Sequence, residues 1–530
     1  MRAGVIVGLA TVLLYGVLVI WACVTPDYRA PDEPQQVSTT LRLAYWHSYP
    51  APGDARIFPA VKASYHDVGF GGIGLNTIIG LEPLKKPAPD QLSDRTLSQL
   101  GATASGAVTP YDYDQMTQHP PGYFAVMAVP ARVFDVIDKT PHTALLILRL
   151  CSALLLLPLP FLAFRISRVL GVSNSGAAAA SFLPIALPQL VHLGAAVNND
   201  TLTITLGAAV TWLCLEVAGR RRARRWGIAL GLTTTAMLLT KGVALPILVV
   251  VLVTYLVRAK RFGLRTALRN AVVTGIFLLP GIAWWVANVV RFGKLQPNGY
   301  PRSYLDLLPK GHLDFGKWLH DFFPALTRSF IADFGWLEAP PPPALTAGVT
   351  IALLVLIAVG IARSRQRLGE ALLAQLAWLM PLIAILDTSH AASERTGALQ
   401  GVQGRYIFVG VAAIAATVAL ALRPSAQTSG RRNLPVHSLF PLFAVVCAGL
   451  GLMAGVSHFY VGNGFFDQIG TFTAWSPLRL RVLVPIAVIG VAAAVASAFF
   501  LLRPESSGYS RPSPAQYRGA DTAGTSLRRA

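Results

Sequence analysis

Residues 220–269 read RRRARRWGIALGLTTTAMLLTKGVALPILVVVLVTYLVRAKRFGLRTALR. Arg220, Arg221, Arg222, Arg224 and Arg225 open the stretch, and Arg258, Lys260, Arg261, Arg265 and Arg269 close it. Between them lie two apolar segments, 226–239 and 242–257, parted by Thr240-Lys241-Gly242. A single tilted helix over 226–257 would put the two basic clusters on opposite sides of a bilayer. Basic loops stay on the cytoplasmic side, so the chain crosses twice and Lys241 sits at the outer turn. This stretch predicts a polytopic bundle of membrane helices.

Working outward, a hydrocarbon core of about 30 Å needs about 20 apolar residues in a helix. Apolar runs recur at 4–24, 143–163, 172–193, 200–218, 271–290, 344–362, 371–387, 405–422, 437–456 and 481–502. With the two above, that predicts about 12 transmembrane helices. The runs are far too long for the strands of a barrel. The composition agrees: 53% of the 530 residues are hydrophobic and 13% charged, where a soluble domain carries about a quarter charged. Disorder is excluded, and the composition argues against an ordinary soluble enzyme.

The net charge of +20 is not a nucleic-acid-binding patch, because it falls in short clusters between spans. The segments placed inside hold 24 of the 45 basic and 4 of the 25 acidic residues, Glu216 counted among them, leaving 21 of each elsewhere. The chain is expected to be a multi-pass protein of the plasma or inner membrane of the cell, with both termini in the cytoplasm. Cys23, Cys151, Cys214 and Cys447 lie in or at apolar runs and lack disulfide-framework or metal spacing.

Four regions follow. Residues 1–24 form an uncleaved first membrane helix, and 25–142 a large extracytoplasmic loop with interfacial helices, holding 12 of the 25 acids. Residues 143–502 form the bundle, with an outer loop at 291–343. Residues 503–530, rich in Ser, Pro, Gly and Arg, are expected to be a disordered cytoplasmic tail.

The spans are nearly free of charge, Arg149 being the main exception, so chemistry is expected at the outer interface. Asp32-Glu33, between Pro31 and Pro34, offers adjacent carboxylates just beyond the first helix. Near a low-dielectric interface such an acid can serve as a base; otherwise it is loop charge. Gln118-His119-Pro120-Pro121-Gly122 fixes a turn in which His119 could orient a carboxylate. Asn198-Asn199-Asp200 begins a helix, where Asp200 or Asn199 caps it or lines a site. Lys241 and Arg405-Tyr406, at helix ends, suit a phosphate or simply anchor the interface. Gly69-Phe70-Gly71-Gly72-Ile73-Gly74 fits a dinucleotide-binding pattern but has no βαβ unit around it.

In this order, with Trp284-Trp285, Asn288, Arg291 and Gly293, these motifs resemble the GT-C superfamily of membrane glycosyltransferases. More closely, they resemble a bacterial membrane-protein family of unknown function in that clan. The resemblance runs from the first helix to about residue 420. It implies a GT-C-like bundle of about a dozen helices that moves a sugar, with inversion, from a polyprenyl-phosphate donor to an envelope glycan or lipid acceptor. Carried over, Asp32 is the base and Glu33 its alternate. Lys241 and Arg405 neutralise the leaving phosphate. His119, Asn199 and Asp200 shape the site, with Arg291 and Tyr406 placed among the substrate-binding residues. The chain departs from the pattern at Gly122, where relatives tend to have Leu, and at Gln35-Gln36, where Ala-His is frequent. No cofactor is assigned, although paired acids can hold a divalent cation. A transporter or flippase of a lipid-linked saccharide and a non-catalytic envelope protein are the alternatives.

Overall fold

A computed structural model describes residues 2–67, 92–104, 112–302, 310–423 and 436–503. The Gly69–Gly74 pattern and the tail beyond residue 503 lie outside them. Among the described residues the chain is helical, with pairing between extended segments limited to isolated bridges.

Among the described residues ten helices are long and apolar enough to cross a bilayer, where the apolar runs predict about 12. The difference lies in two places. The run at 172–193 is broken into Asn174–Ala186 and Pro188–Gly194, bent by 74°. Pro188 cannot donate to the preceding turn and its ring displaces it, so the helix restarts there. This pair counts as an eleventh span if its halves are taken together. The run at 226–239 forms the helix Arg224–Leu238, only 15 residues long. At 1.5 Å per residue it reaches roughly 22 Å, short of the full hydrocarbon thickness.

The two basic clusters of the opening stretch do lie at one end of the bundle. Arg258 donates to the carbonyl oxygens of Val217 at 2.6 Å, Arg220 at 2.6 Å and Arg221 at 2.9 Å. It thereby caps the last turn of the Asp200–Gly219 helix, whose final carbonyls have no partner within the helix. The chain from Arg224 to Arg258 therefore goes out and comes back. At this same end Arg2 donates to the Arg503 carbonyl at 2.8 Å, so the first and last helices begin and end side by side.

Two elements run through the centre. Gly404–Ala421 is almost wholly buried and Asp200–Gly219 largely so, whereas Pro343–Arg363 and Leu264–Phe292 lie at the rim. Rim residues such as Val272, Ile276, Ile351 and Leu354 are exposed, as suits side chains facing lipid. The two central elements approach closely at Gly207. A Cβ there would lie 2.9 Å from the Val409 carbonyl oxygen and 2.4 Å from its Cγ1. Only glycine allows that approach, which sets Asp200 and Arg405 on neighbouring elements.

The insert between Val24 and Pro141 carries the helices Glu33–Trp46, Pro59–Asp67, Leu97–Ala102 and Gly122–Val133. Its most deeply buried tie to the bundle is one ion pair. Arg149, on the Pro141–Leu154 helix, donates to both oxygens of Glu33 at 2.8 and 2.6 Å. The same guanidinium donates to the carbonyls of Ala22 at 2.9 Å, Thr25 at 2.6 Å and Pro26 at 2.8 Å. The Val197 N–H completes the shell of Glu33 at 3.1 Å. Removing one partner of such a pair leaves an uncompensated buried charge. Arg149→Met is expected to cost about 3–5 kcal/mol, read as a lowered unfolding temperature in detergent. A loss below about 1 kcal/mol, the size typical of an exposed pair, would remove this role.

Candidate functional site

Asp32 closes the loop after the first helix and stands at the start of Glu33–Trp46 with φ 60° and ψ 7°, in the left-handed region. An L-residue held there costs about 1 kcal/mol, less for Asp than for most. The turn separates the adjacent acids. Glu33 is fully buried against Arg149, and Asp32 meets another set of groups altogether.

Arg405 Nη2 donates to Asp32 Oδ2 at 2.5 Å. Arg405 Nε lies 3.5 Å from Asp200 Oδ2. Lys241 Nζ donates to Asp200 Oδ1 at 2.7 Å. Four residues from distant parts of the chain thus form one alternating line: Asp32, Arg405, Asp200, Lys241. The Tyr406 ring lies 5.2 Å from Lys241 Nζ and 5.4 Å from the Arg405 guanidinium carbon, close enough for cation–π attraction. Gln115 Nε2 donates to Asp32 Oδ1 at 3.3 Å. Gln115 was not legible as a site residue, because a lone amide in a polar insert has no distinguishing pattern.

Local sequence explains why each group stands where it does. Asn198 Oδ1 accepts from the Asp200 N–H at 2.9 Å, and its amide donates to the Pro31 carbonyl at 3.2 Å, tying the Asp200 helix start to the Asp32 loop. The Lys241 segment is held by the proline turn. The Gly122 N–H donates to the Leu239 carbonyl at 2.8 Å, and His119 Nδ1 faces the Gly242 N–H at 3.5 Å. Gly122 is required for this: a Cβ would sit 2.4 Å from the Leu239 oxygen.

The charges balance, two acids against two bases, but the hydrogen bonds do not. Arg405 Nε and Nη1, Asp200 Oδ2 and both polar atoms of the Asn199 amide are buried without a hydrogen-bond partner. Buried polar groups nearly always find one, and the unmet Arg405 and Asp200 atoms lie within this one line of charges. The side chains of Asp200, Lys241 and Arg405 are 3–5% exposed, while that of Asp32 is 20% exposed. Asp32 is the member that reaches solvent.

Burial alone would raise the pKa of Asp32, but Arg405 and then Lys241 more than reverse this and hold it below the usual carboxylate range. Burial pushes Lys241 below its ordinary value, with Asp200 pulling the other way and Arg405 adding repulsion. Burial, assisted by Lys241 and Arg405, pushes His119 down to about 3, so its ring is neutral near pH 7.

Of the residues singled out from the sequence, Asp32, His119, Asn199, Asp200, Lys241, Arg405 and Tyr406 come to this one region. Arg291 does not join it. It lies exposed in the last turn of Leu264–Phe292, with no ion pair to the cluster among the described residues. No group of three or more His, Cys, Asp or Glu side chains that could hold a metal occurs among the described residues. A divalent cation bridging Asp32 and Asp200 would have to displace Arg405 from between them.

The family model described as a predicted membrane protein, DUF2142, matches residues 14–414, and the chain belongs to that family. No curated protein matches the chain. The chain is similar to the solved structure of ArnT from Cupriavidus metallidurans bound to undecaprenyl phosphate, at 17% identity and a TM-score of 0.42, over 92% of this chain and 75% of that one. It is also similar to the oligosaccharyltransferase of Archaeoglobus fulgidus in complex with zinc and sulfate, at 16% identity and a TM-score of 0.36, over 84% of this chain and 53% of that one.

Gly122→Leu is expected to push the Leu239 carbonyl away and destabilise the protein by about 1–3 kcal/mol. An unfolding temperature equal to wild type would mean that the Lys241 segment is not fixed by this contact.

Proposed function

We propose that this member of the DUF2142 family is a membrane glycosyltransferase whose cluster receives the phosphate of a polyprenyl-phosphate-linked sugar. The observation that carries the reading is the pair of buried cations, Arg405 and Lys241, with Arg405 Nε and Nη1 lacking hydrogen bonds beside a partly exposed Asp32. A guanidinium offers a planar fork that matches phosphate oxygens, and such charge-assisted bonds are the strong ones. The arginine-rich end of the bundle lies in the cytoplasm by the charge rule, which puts the cluster on the extracytoplasmic side, away from nucleotide sugars.

In the ligand-free protein Asp32 is a poor base, because Arg405 holds it ionised. A donor phosphate competes for Arg405 and adds its own negative charge nearby. Both effects raise the affinity of Asp32 for a proton, bringing it towards the range of an effective base. Asp32 then accepts the proton of the acceptor hydroxyl. The acceptor oxygen bonds to the anomeric carbon as the bond from that carbon to the phosphate oxygen breaks. The electron pair leaves with the polyprenyl phosphate, where Arg405 and Lys241 stabilise it. Attack opposite to the leaving group inverts the anomeric centre. Neutral His119 and the Asn199 amide supply hydrogen bonds without changing the charge. Glu33 acts as a positioning residue through Arg149, not as a second base.

The test is sugar transfer from a labelled polyprenyl-phosphate donor by purified protein. Asp32→Asn is expected to reduce kcat by about 10²–10⁴-fold, the range of a lost general base, with donor binding retained. Lys241→Ala is expected to weaken the transition state by several kcal/mol, as for loss of a charge-stabilising group. Full transfer by Asp32→Asn would remove the base assignment. Movement of labelled lipid-linked sugar across vesicles, without a new glycosidic bond, would replace a transferase with a flippase.

The pH profile has a worked sign. A carboxyl held below its usual range stays ionised from mild acid upward, so kcat/KM should show no acid limb near the usual carboxylate range. A lysine pushed below its ordinary value loses its proton sooner, so the alkaline limb should begin below the ordinary lysine range. It should move upward in Lys241→Arg, because a guanidinium keeps its charge. An unmoved alkaline limb would show that Lys241 does not set it.

A further inference from the structure

A second charged cavity lies at the opposite end of the bundle. Its volume is about 480 Å³, and its lining includes Arg165, Arg168, Arg220, Arg367, Asn174 and Glu216. Asp200 and Glu216 sit near opposite ends of one helix. At 1.5 Å per residue this cavity is roughly 25 Å from the cluster at Asp32, and the two share no residue.

Four guanidinium groups face one carboxylate there. Glu216 is taken by Arg220 and by the Trp212 indole N–H at 3.1 Å, with Arg165 farther off at 3.5 Å. Arg168 donates to the Val172 carbonyl at 2.5 Å, and Arg367 donates to the Val169 carbonyl. Carbonyl oxygens satisfy hydrogens but neutralise no charge. Arg165 Nε is buried with no partner, while its guanidinium carbon lies 4.9 Å from the centre of the Trp212 ring. Among the described residues lining the cavity arginines thus outnumber acids, and Arg165 Nε supplies an unmet donor.

We propose that this cavity binds a phosphate-bearing anion, the headgroup of an anionic lipid in the leaflet at the arginine-rich end. Charge and donors account for the phosphate. The surroundings favour a lipid as its source. Trp212 and Trp226 stand together, with ring centres 5.5 Å apart, and Trp226 lies beneath both Arg220 and Arg225. Paired tryptophans among arginines are the usual lining of the headgroup level. Phe161 is 44% exposed one turn from Arg165, which gives an acyl chain an apolar surface directly beside the cavity.

The experiment uses the full-length protein in an uncharged detergent, with binding read by native mass spectrometry and by unfolding temperature. The probes are phosphatidylglycerol, phosphatidylcholine and inorganic phosphate. Phosphatidylglycerol should bind and raise the unfolding temperature, and phosphatidylcholine should not. Arg165→Gln should weaken phosphatidylglycerol binding about tenfold, the loss expected for one charged hydrogen bond. Arg367→Gln, at an exposed position, gives a second variant that keeps the buried side chains and should weaken it likewise. Equal binding of the two lipids, or wild-type binding by both variants, would overturn the site. An equal stabilisation by inorganic phosphate would keep an anion site and overturn the lipid as its occupant.

Discussion

The Glu33–Arg149 pair is the constraint on which the outer half of the molecule depends. A carboxylate and a guanidinium taken out of water are tolerated only if each is matched and the remaining donors are met. Here they are: two N–H groups meet the two carboxylate oxygens, and other guanidinium N–H groups meet three carbonyls of the chain leaving the first helix. Those carbonyls belong to Ala22, Thr25 and Pro26, where the helix ends and its last carbonyls would otherwise be orphaned in a dry environment. One side chain thus terminates the first helix, anchors the insert and places the Glu33–Trp46 helix. Once Glu33 is committed to the interior, the left-handed turn at Asp32 follows, and Asp32 is left to face Arg405.

That division gives the two neighbouring acids different electrostatic settings. Glu33 is sealed, while Asp32 stands at the partly open end of a line of alternating charges. Such a line stabilises itself in a low dielectric, since every member has an opposite neighbour. Asp200 gains further from the start of its helix, where backbone N–H groups favour negative charge. The line is also easily perturbed. An anion arriving at Arg405 alters the balance at Asp32 and at Asp200 together, because Arg405 stands between them. The glycine at 122 and the proline turn keep Lys241 from following its own flexible stem out of this line.

Much of this was legible in the sequence because a membrane makes polarity informative. In an apolar chain the motifs around Asp32, His119, Asn199, Lys241 and Arg405 stand out as exceptions, and each exception must be compensated somewhere. The out-and-back path between Arg220 and Arg258 could be read from charge alone, and the contact of Arg258 with the Val217 to Arg221 carbonyls closes it, although its outward helix is shorter than a full span. What could not be read was pairing. Nothing distinguishes Asp32 from Glu33 until the backbone turn is known, and Arg149 is visible as an anomaly without naming its partner. Arg291 failed to join the cluster because an arginine ending an apolar helix looks the same whether it lines a site or meets solvent. The break at Pro188 was hidden by composition, since an apolar run reads alike whether straight or bent.

The Asp200–Gly219 helix shows how one element can serve both faces of a bilayer. Its first turn carries Asp200 and receives Lys241, and its last turn is capped by Arg258, with Glu216 and Arg220 beside it. Acid at the start and arginine at the end both oppose the helix dipole, so the element is favoured in this sense at each terminus. Charge sits at both ends, and the middle is apolar or engages its own backbone, as Thr211 does with the Gly207 carbonyl. A cation lost from either end would leave orphaned carbonyls or an unmatched acid at that end. The two proposed anion sites share no residue and would not compete, because roughly 25 Å of helix separates them.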